Sequence, residues 1–295
     1  MVSAGLQSYR KTRAPVGTRA TSTLLDVVGR AIVYTILLAL ALAVLYPLIW
    51  MFVSGFKSNF EIFSDPWGLP ASWRVENYAS AAEKGVTTYF VNSVLVTAGS
   101  IVTTTLFSAW AAYGLARTKA PLIKYGAWFI LGGLMVSPTV ALVPLFALLQ
   151  QLHLFDTLVG LVVLYTAYRI PFTTFLIRAY MIDLPTSLDE AATIDGASRF
   201  QIFWRVILPL SRPILVSAAL LQALFSWNEF AFALVFLSRR ELKTLPVGLM
   251  DMQSRLLTDW PVQFASLALA ALPMIVIFLL GQRAFLRGLT DGMGK

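Results

Sequence analysis

Five polar or amphipathic side chains lie within long apolar runs of this chain: Asn92, Arg169, Trp227, Asn228 and Glu229. A charged group in such a run costs about 2.5 kcal/mol or more to insert into a bilayer, so it faces a bundle interior or a wet cavity. Two roles are open to Arg169 and Glu229. They can pair, or satisfy backbone groups near Pro171, and be structural; or they can line a path for a solute, with Asn92 a weaker candidate near the end of its run. Catalytic chemistry is hard to find. The chain has one histidine, His153, and no cysteine, which excludes thiolate metal sites and disulfides. No nucleophile–histidine pair or metal-ligand cluster stands out. The terminal Gly292-Met293-Gly294-Lys295 lacks the spacing and the hydroxyl of a phosphate-binding loop. The chain is therefore expected to be no enzyme and to hold no metal or cofactor of its own.

A second constellation is polar and helix-patterned: Glu190-Ala191-Ala192-Thr193-Ile194-Asp195-Gly196, followed by Val206-Ile207-Leu208-Pro209. Ser187 and Glu190 have capping-box spacing. Gly196 is suited to the left-handed conformation that ends a helix. Ser198 then starts a second short helix, in which Phe200, Phe203, Trp204 and Ile207 form one apolar stripe and Gln201 and Arg205 point outward. Pro209 and Pro213 are expected to stop that helix.

Both constellations must be held by membrane helices. Apolar residues make up 58% of the 295 positions and charged residues 13%, about half the charge of a soluble domain. Six runs reach or exceed the ~20 residues a spanning helix needs: 31–53, 86–116, 125–152, 157–177, 213–238 and 261–282. Backbone groups in lipid must be satisfied within each segment, so the fold class is all-α. The first run is too long for the apolar core of a cleaved signal peptide. Arg169 lies nine residues before Arg178, about 13 Å along a helix and close to mid-membrane. Of 23 lysines and arginines, fifteen fall on the N-terminal side of such a bundle, seven on the other, and Arg169 within a span. That bias sets both termini inside. It also makes the net charge of +8 a signature of topology, with no nucleic acid implied. Residues 1–30 read as a basic inner arm and 31–295 as one membrane domain, with an inner loop at 184–213. Pro138 and Pro144 are positioned to break the third run near its outer end. Outside, Trp67, Trp73 and Tyr78 suit the headgroup level, and Arg239, Arg240, Lys243 and Arg255 give the last outer loop a basic character.

The pattern Glu190-Ala191-Ala192, Gly196, Val206, Leu208-Pro209 resembles the signature loop of ABC-importer permease subunits, with Val206 where isoleucine is usual. Pro171-Phe172, Phe175-Leu176-Ile177-Arg178, Trp227-Asn228-Glu229-Phe230, Leu245-Pro246-Val247-Gly248 and the tail Gly288-Leu289-Thr290-Asp291-Gly292 are similar to its maltose-type carbohydrate branch. The resemblance implies a type I permease fold in a prokaryotic plasma membrane. It also implies that the loop enters a cleft on a cytoplasmic ATPase, through Glu190, Ala191, Ala192, Asp195, Gly196, Leu208 and Pro209. The implied partners are a second homologous permease, two ATPase subunits that bind ATP and Mg, an external solute-binding protein and membrane lipid. The same resemblance places Trp227, Asn228 and Glu229 on the solute path, where a ring beside amide and carboxylate acceptors suits a sugar. An anionic or phosphorylated solute is the alternative that Arg169 and the basic loop keep open, and an ion-coupled secondary transporter is a more distant one.

Overall fold

The computed structural model describes residues 19–118, 121–253 and 258–291, and every element assigned among them is helical. Helix α1 (Arg19–Ser54) begins inside the expected basic arm, so only residues before it remain candidates for an arm. Up to Trp50 it forms a unit of its own, apart from the unit that starts at Met51. Its side chains from Val27 to Ile49 are exposed and mostly apolar, as a lipid-facing span requires.

The second unit opens with α2 (Asn59–Ser64), closed at its start by a full capping box between Ser58 and Glu61. Next, α3 (Glu76–Ala81) runs through a π-helical stretch, Ala82–Val86, into α4 (Thr87–Arg117). Gly85 turns the chain within that stretch at φ 106°.

The third apolar run does not form one continuous helix. It divides into α5 (Pro121–Leu134) and α6 (Pro138–Gln151), which meet at 105°. Pro138 stands at the first helical position and Ser137 before it is extended, at ψ 131°. A proline disfavours helical backbone in the residue ahead of it, so the elbow is local in origin. Pro144, by contrast, lies inside α6. α7 (Leu158–Asp183) is the fourth span. It packs along α4, with Gly99 against Val162 and the hydroxyls of Thr103 and Thr166 2.6 Å apart. Gly133 of α5 approaches Pro171 of α7 so closely that a Cβ would lie 2.9 Å from the ring.

The polar segment is a hairpin of α8 (Ser187–Ile194), α9 (Arg199–Ile202), a π-helical turn Phe203–Ile207 and α10 (Leu208–Leu210). Then come α11 (Arg212–Trp227), α12 (Ala231–Phe236), a 3-10 turn at Arg240–Leu242, α13 (Leu245–Asp251) and α14 (Trp260–Asp291). The fifth run is thus also broken, at Asn228–Phe230. Its first part, α11, has 16 residues, about 24 Å of helix. Of the tail motif, the residues to Asp291 continue α14 and Gly292 lies outside the described residues.

Two details of the hairpin differ from the spacing argument. Ser187 does not cap α8: Thr186 is the N-cap, without a side-chain bond. The turn starts one residue early, because the N–H groups of Asp189 and Glu190 both reach the carbonyl of Thr186. Nor does Pro209 stop the second helix. It sits within the first turn of α10, and the π-helical turn just ahead of it carries the Leu208 N–H to the carbonyl of Phe203. A wider turn is a common accommodation where a proline leaves a carbonyl without its donor. Ser211 ends this helix, and Pro213 lies in the first turn of α11.

Candidate functional site

At the inner end of the bundle, the tip of the hairpin is built to be exposed. Ile194 is 86% accessible, and Glu190, Ala191, Asp195, Gly196 and Pro209 are all exposed, with Ala192 and Leu208 half-buried. Gly196, at φ +80°, closes α8 in a Schellman motif: its N–H bonds the carbonyl of Thr193, and that of Ala197 bonds the carbonyl of Ala192. Ser198 and Gln201 then form a capping box that starts α9. The apolar face differs from a straight-helix count. Ile202, Phe203 and Ile207 are buried, while Phe200 and Trp204 remain exposed. The π-helical turn rotates the stripe, and the buried face packs on Ala109 and Ala112 of α4, Ile177 and Met181 of α7, and Ile214 and Ala218 of α11. Gln201 and Arg205 face outward as expected.

The hairpin is also tied by charge. Arg117, at the end of α4, lies 3.1 Å from Asp189 (Nε to Oδ2) and donates from Nη2 to the carbonyl of Leu184 at 2.9 Å. The Arg117 side chain is 9% exposed, so the pair is poorly screened and far from an ordinary surface ion pair. A cleft of about 490 Å³ opens beside α8, lined in part by Tyr113, Arg117, Asp189, Glu190 and Arg199.

A second recess, of about 260 Å³, lies within the spans. Tyr165, Tyr168 and Arg169 of α7 line it together with Phe225 and Ser226 of α11, and Glu229 in the break. Arg169 and Glu229 both face it without forming an ion pair within 4 Å. The Arg169 guanidinium instead sits over the Phe225 ring, 3.6 Å from its centroid, with Tyr168 at 5.3 Å; such contacts strengthen where water is excluded. The Glu229 carboxylate caps the broken span. Its oxygens accept from the N–H of Phe232 at 2.8 Å, the N–H of Ala233 at 3.2 Å and the Tyr165 hydroxyl at 2.5 Å. Irregular backbone at membrane depth survives only where its polar groups find partners, and here one side chain supplies them.

The other residues singled out in the sequence do not line this recess. Trp227 is 5% exposed, donates to the carbonyl of Ala270 and stacks edge-on with Phe90. Asn228 is exposed and returns its amide to the carbonyl of Leu224, closing α11. Asn92 donates to the carbonyls of Glu241 and Lys243, at 2.7 and 3.0 Å. Tyr165, Tyr168, Phe225 and Ser226 were missed. Tyr165 and Arg169 are four residues apart on one helix face, and that pairing of a polar-tipped aromatic with a buried charge was the available signal.

The outer loop is less basic in effect than in sequence. Arg239 bonds Asp156, Arg240 donates to the Tyr89 hydroxyl, and Lys243 pairs with Asp251; Arg255 lies outside the described residues. Burial would raise the Asp156 carboxyl, but bonds from the N–H groups of Ser238 and Arg239 and from the Arg239 side chain hold it below its usual value. Tyr89 is 2% exposed, and a Cβ on Gly248 would meet its ring at 2.2 Å. Gly248→Ala is therefore expected to destabilise the outer face by roughly 1–3 kcal/mol, read as earlier thermal unfolding of the purified subunit. An unchanged melting temperature would mean that Tyr89 gives way.

A family profile described as "Binding-protein-dependent transport system inner membrane component" matches residues 16–290. The chain belongs to this family. It is therefore a multi-pass inner-membrane permease subunit of an ABC transporter. Among its relatives, the "Probable ABC transporter permease protein YurM" of Bacillus subtilis is 45% identical over 91% of this chain and 89% of its own length. The "Diacetylchitobiose uptake system permease protein NgcG" of Streptomyces coelicolor is 33% identical over 89% of this chain and 88% of its own. A chain from a bacterial ABC transporter that imports the acidic polysaccharide alginate superposes with a TM-score of 0.77 at 25% identity, covering 92% of this permease and all of that chain. The type I permease fold accommodates both broken spans, because a discontinuous helix next to a recess is a common transporter device.

Proposed function

We propose that this permease subunit moves a sugar or oligosaccharide inward by alternating access, as one of two transmembrane subunits of an ATP-driven importer. The observation that carries the solute class is the recess at the break in the fifth run. Tyr168 and Phe225 bring aromatic rings to it, Glu229 and Ser226 offer acceptors, and Arg169 offers donors, the combination that holds a polyhydroxylated ring. The diacetylchitobiose permease and the alginate importer among its likenesses point the same way. On this reading the solute path runs past Arg169, Glu229, Tyr165 and Tyr168, and Trp227, Asn228 and Asn92 support it from outside.

The remaining parts follow from the hairpin. Its exposed tip, Glu190 to Gly196 with Leu208 and Pro209 behind it, docks on one of two cytoplasmic ATPase subunits. ATP and Mg belong to those partners, since this chain has no phosphate loop. A homologous second permease completes the membrane pore, and an external binding protein delivers the solute. The test is reconstitution of the complete complex in liposomes with its binding protein. Uptake of labelled diacetylchitobiose or another oligosaccharide should require ATP and be abolished by vanadate. Uptake by the purified chain alone, collapsed by a proton uncoupler, would overturn the reading in favour of a secondary transporter.

A further inference from the structure

Residues 57–73, on the outer side between α1 and α3, are turned inside out relative to a soluble loop. The stretch carries three charged residues, Lys57, Glu61 and Asp65, and each is engaged within it. Lys57 is 1% exposed, and its ammonium donates to the carbonyls of Asp65 and Pro66, both at 3.0 Å. Glu61 accepts from the N–H and the hydroxyl of Ser58 and from the N–H of Ala71. Asp65 accepts from the N–H of Gly68 at 3.0 Å. The large apolar side chains are the ones outside: Phe60, Phe63, Trp67, Leu69 and Trp73 are 57–79% exposed. Of the three rings expected at the headgroup level, only Tyr78 turns in, donating to the carbonyl of Phe52 and packing on Phe56. One exposed ring would need no explanation; five large apolar side chains in one short segment do.

The place of the segment says what covers it. α1 ends at Ser54, four residues before Ser58, a reach of at most about 14 Å. On the other side, the Asn59 side chain accepts from the N–H of Trp260, the first residue of α14, at 3.1 Å. The Phe63 ring meets the Trp260 ring edge-on, with centroids 6.5 Å apart. With both termini inside, Ser54 and Trp260 are the outer ends of two spans, so these rings stand where hydrocarbon gives way to headgroups. Aromatic side chains favour that level. A soluble partner fits less well. Interfaces that form and part are about as polar as the rest of a protein surface and carry a polar rim, whereas the charges here are already engaged internally.

From this we infer that residues 58–73 form an interfacial anchor that dips Phe60, Phe63, Trp67 and Leu69 into the outer leaflet and sets the depth at which α14 enters the membrane. The partner is lipid at the boundary between headgroups and acyl chains, where an apolar face buries without crossing. Because its charges are tied to its own backbone, the anchor holds to zwitterionic lipid. It does not call on the anionic headgroups that a polybasic segment reads. Nothing in the inference depends on which solute is carried.

The absence of cysteine makes the test clean. Phe60→Cys, Leu69→Cys and, as an outer control, Glu83→Cys all replace exposed side chains. Each variant carries a fluorescent thiol label in the complete importer, reconstituted in phosphatidylcholine vesicles. Acyl chains brominated near the headgroup should remove most of the emission at positions 60 and 69, and aqueous iodide on both sides should leave it. At position 83 the two quenchers should exchange roles. Adding the external binding protein should change neither quenching at 60 and 69. Iodide quenching there without bromolipid quenching overturns the anchor in favour of a face in water. Protection from iodide that appears only with the binding protein makes the face a docking site for it, and protection from both quenchers throughout makes it a contact with the second permease; either result also overturns the anchor. The unaltered complex supplies a second measurement. Phosphatidylcholine with a photoreactive diazirine near its headgroup should attach to the peptide holding Phe60 to Leu69, and adducts on α1 with none on that peptide would refute the inference.

Discussion

Replacing Gly196 with valine is expected to leave the subunit inserted and in normal amount while coupled uptake falls by about five- to a hundredfold, the range of a lost coupling free energy of ~1–3 kcal/mol. Nothing lies within 4 Å of the position where a Cβ would stand, so the effect is not a clash. It comes from φ, which at +80° costs an ordinary L-residue about 1–2 kcal/mol and a β-branched one more. To escape, the chain gives up the bonds from Gly196 and Ala197 that end α8, and the tip from Glu190 to Asp195 loses its aim. Gly196→Asn separates conformation from identity, because asparagine tolerates the left-handed region; it should keep most of the uptake. The readouts are transport and retention of the ATPase on purification. Parental transport by the valine variant would sink the docking role of this turn.

Glu229→Ala should produce the second large loss. It strands the N–H groups of Phe232 and Ala233 and the Tyr165 hydroxyl together. Each buried donor left without a partner costs about 1–3 kcal/mol. The start of α12 should fray, and uptake should be lost even if the complex assembles. Glu229→Gln divides the two jobs of this side chain. Its amide oxygen still accepts the N–H of Phe232 and its NH₂ turns to the Tyr165 oxygen, so only the N–H of Ala233 loses its partner and most of the break holds while the negative charge goes. That variant should transport with a raised KM and a maximal rate much closer to the parent's. If the alanine variant takes up every tested sugar normally, Glu229 is neither on the path nor needed to build it.

How much of this was readable in advance depended on whether the deciding physics was local. The left-handed turn at Gly196 and the helix start at Ser198 follow from a few neighbouring residues, and both were legible. The failed cap at Ser187 was lost by a single residue, because the preceding Pro185-Thr186 began the turn early. The apolar runs located the spans by their lack of charge, yet composition is blind to direction. The elbow at Ser137–Pro138 was signalled by its proline, but the break at Asn228–Phe230 leaves hydropathy unchanged. The recess needed long-range contact. Arg169 and Glu229 advertised themselves as costly charges, but their partners Tyr165 and Phe225 read as ordinary span aromatics. Trp227 and Asn92 show the converse: polar-tipped side chains whose hydrogen bonds, to carbonyls of Ala270, Glu241 and Lys243, depend on segments far away in the chain.

The elbow between α5 and α6 has a consequence for the life history of the polypeptide. Each arm has 14 residues, about 21 Å, against a hydrocarbon thickness of ~30 Å. Neither can cross alone, and Phe129, Met135, Val140 and Val143 around the corner are largely uncovered. Bare backbone at that depth is tolerated only against protein or water. A copy left uncovered at this corner would therefore strain the lipid around it and invite proteolytic disposal.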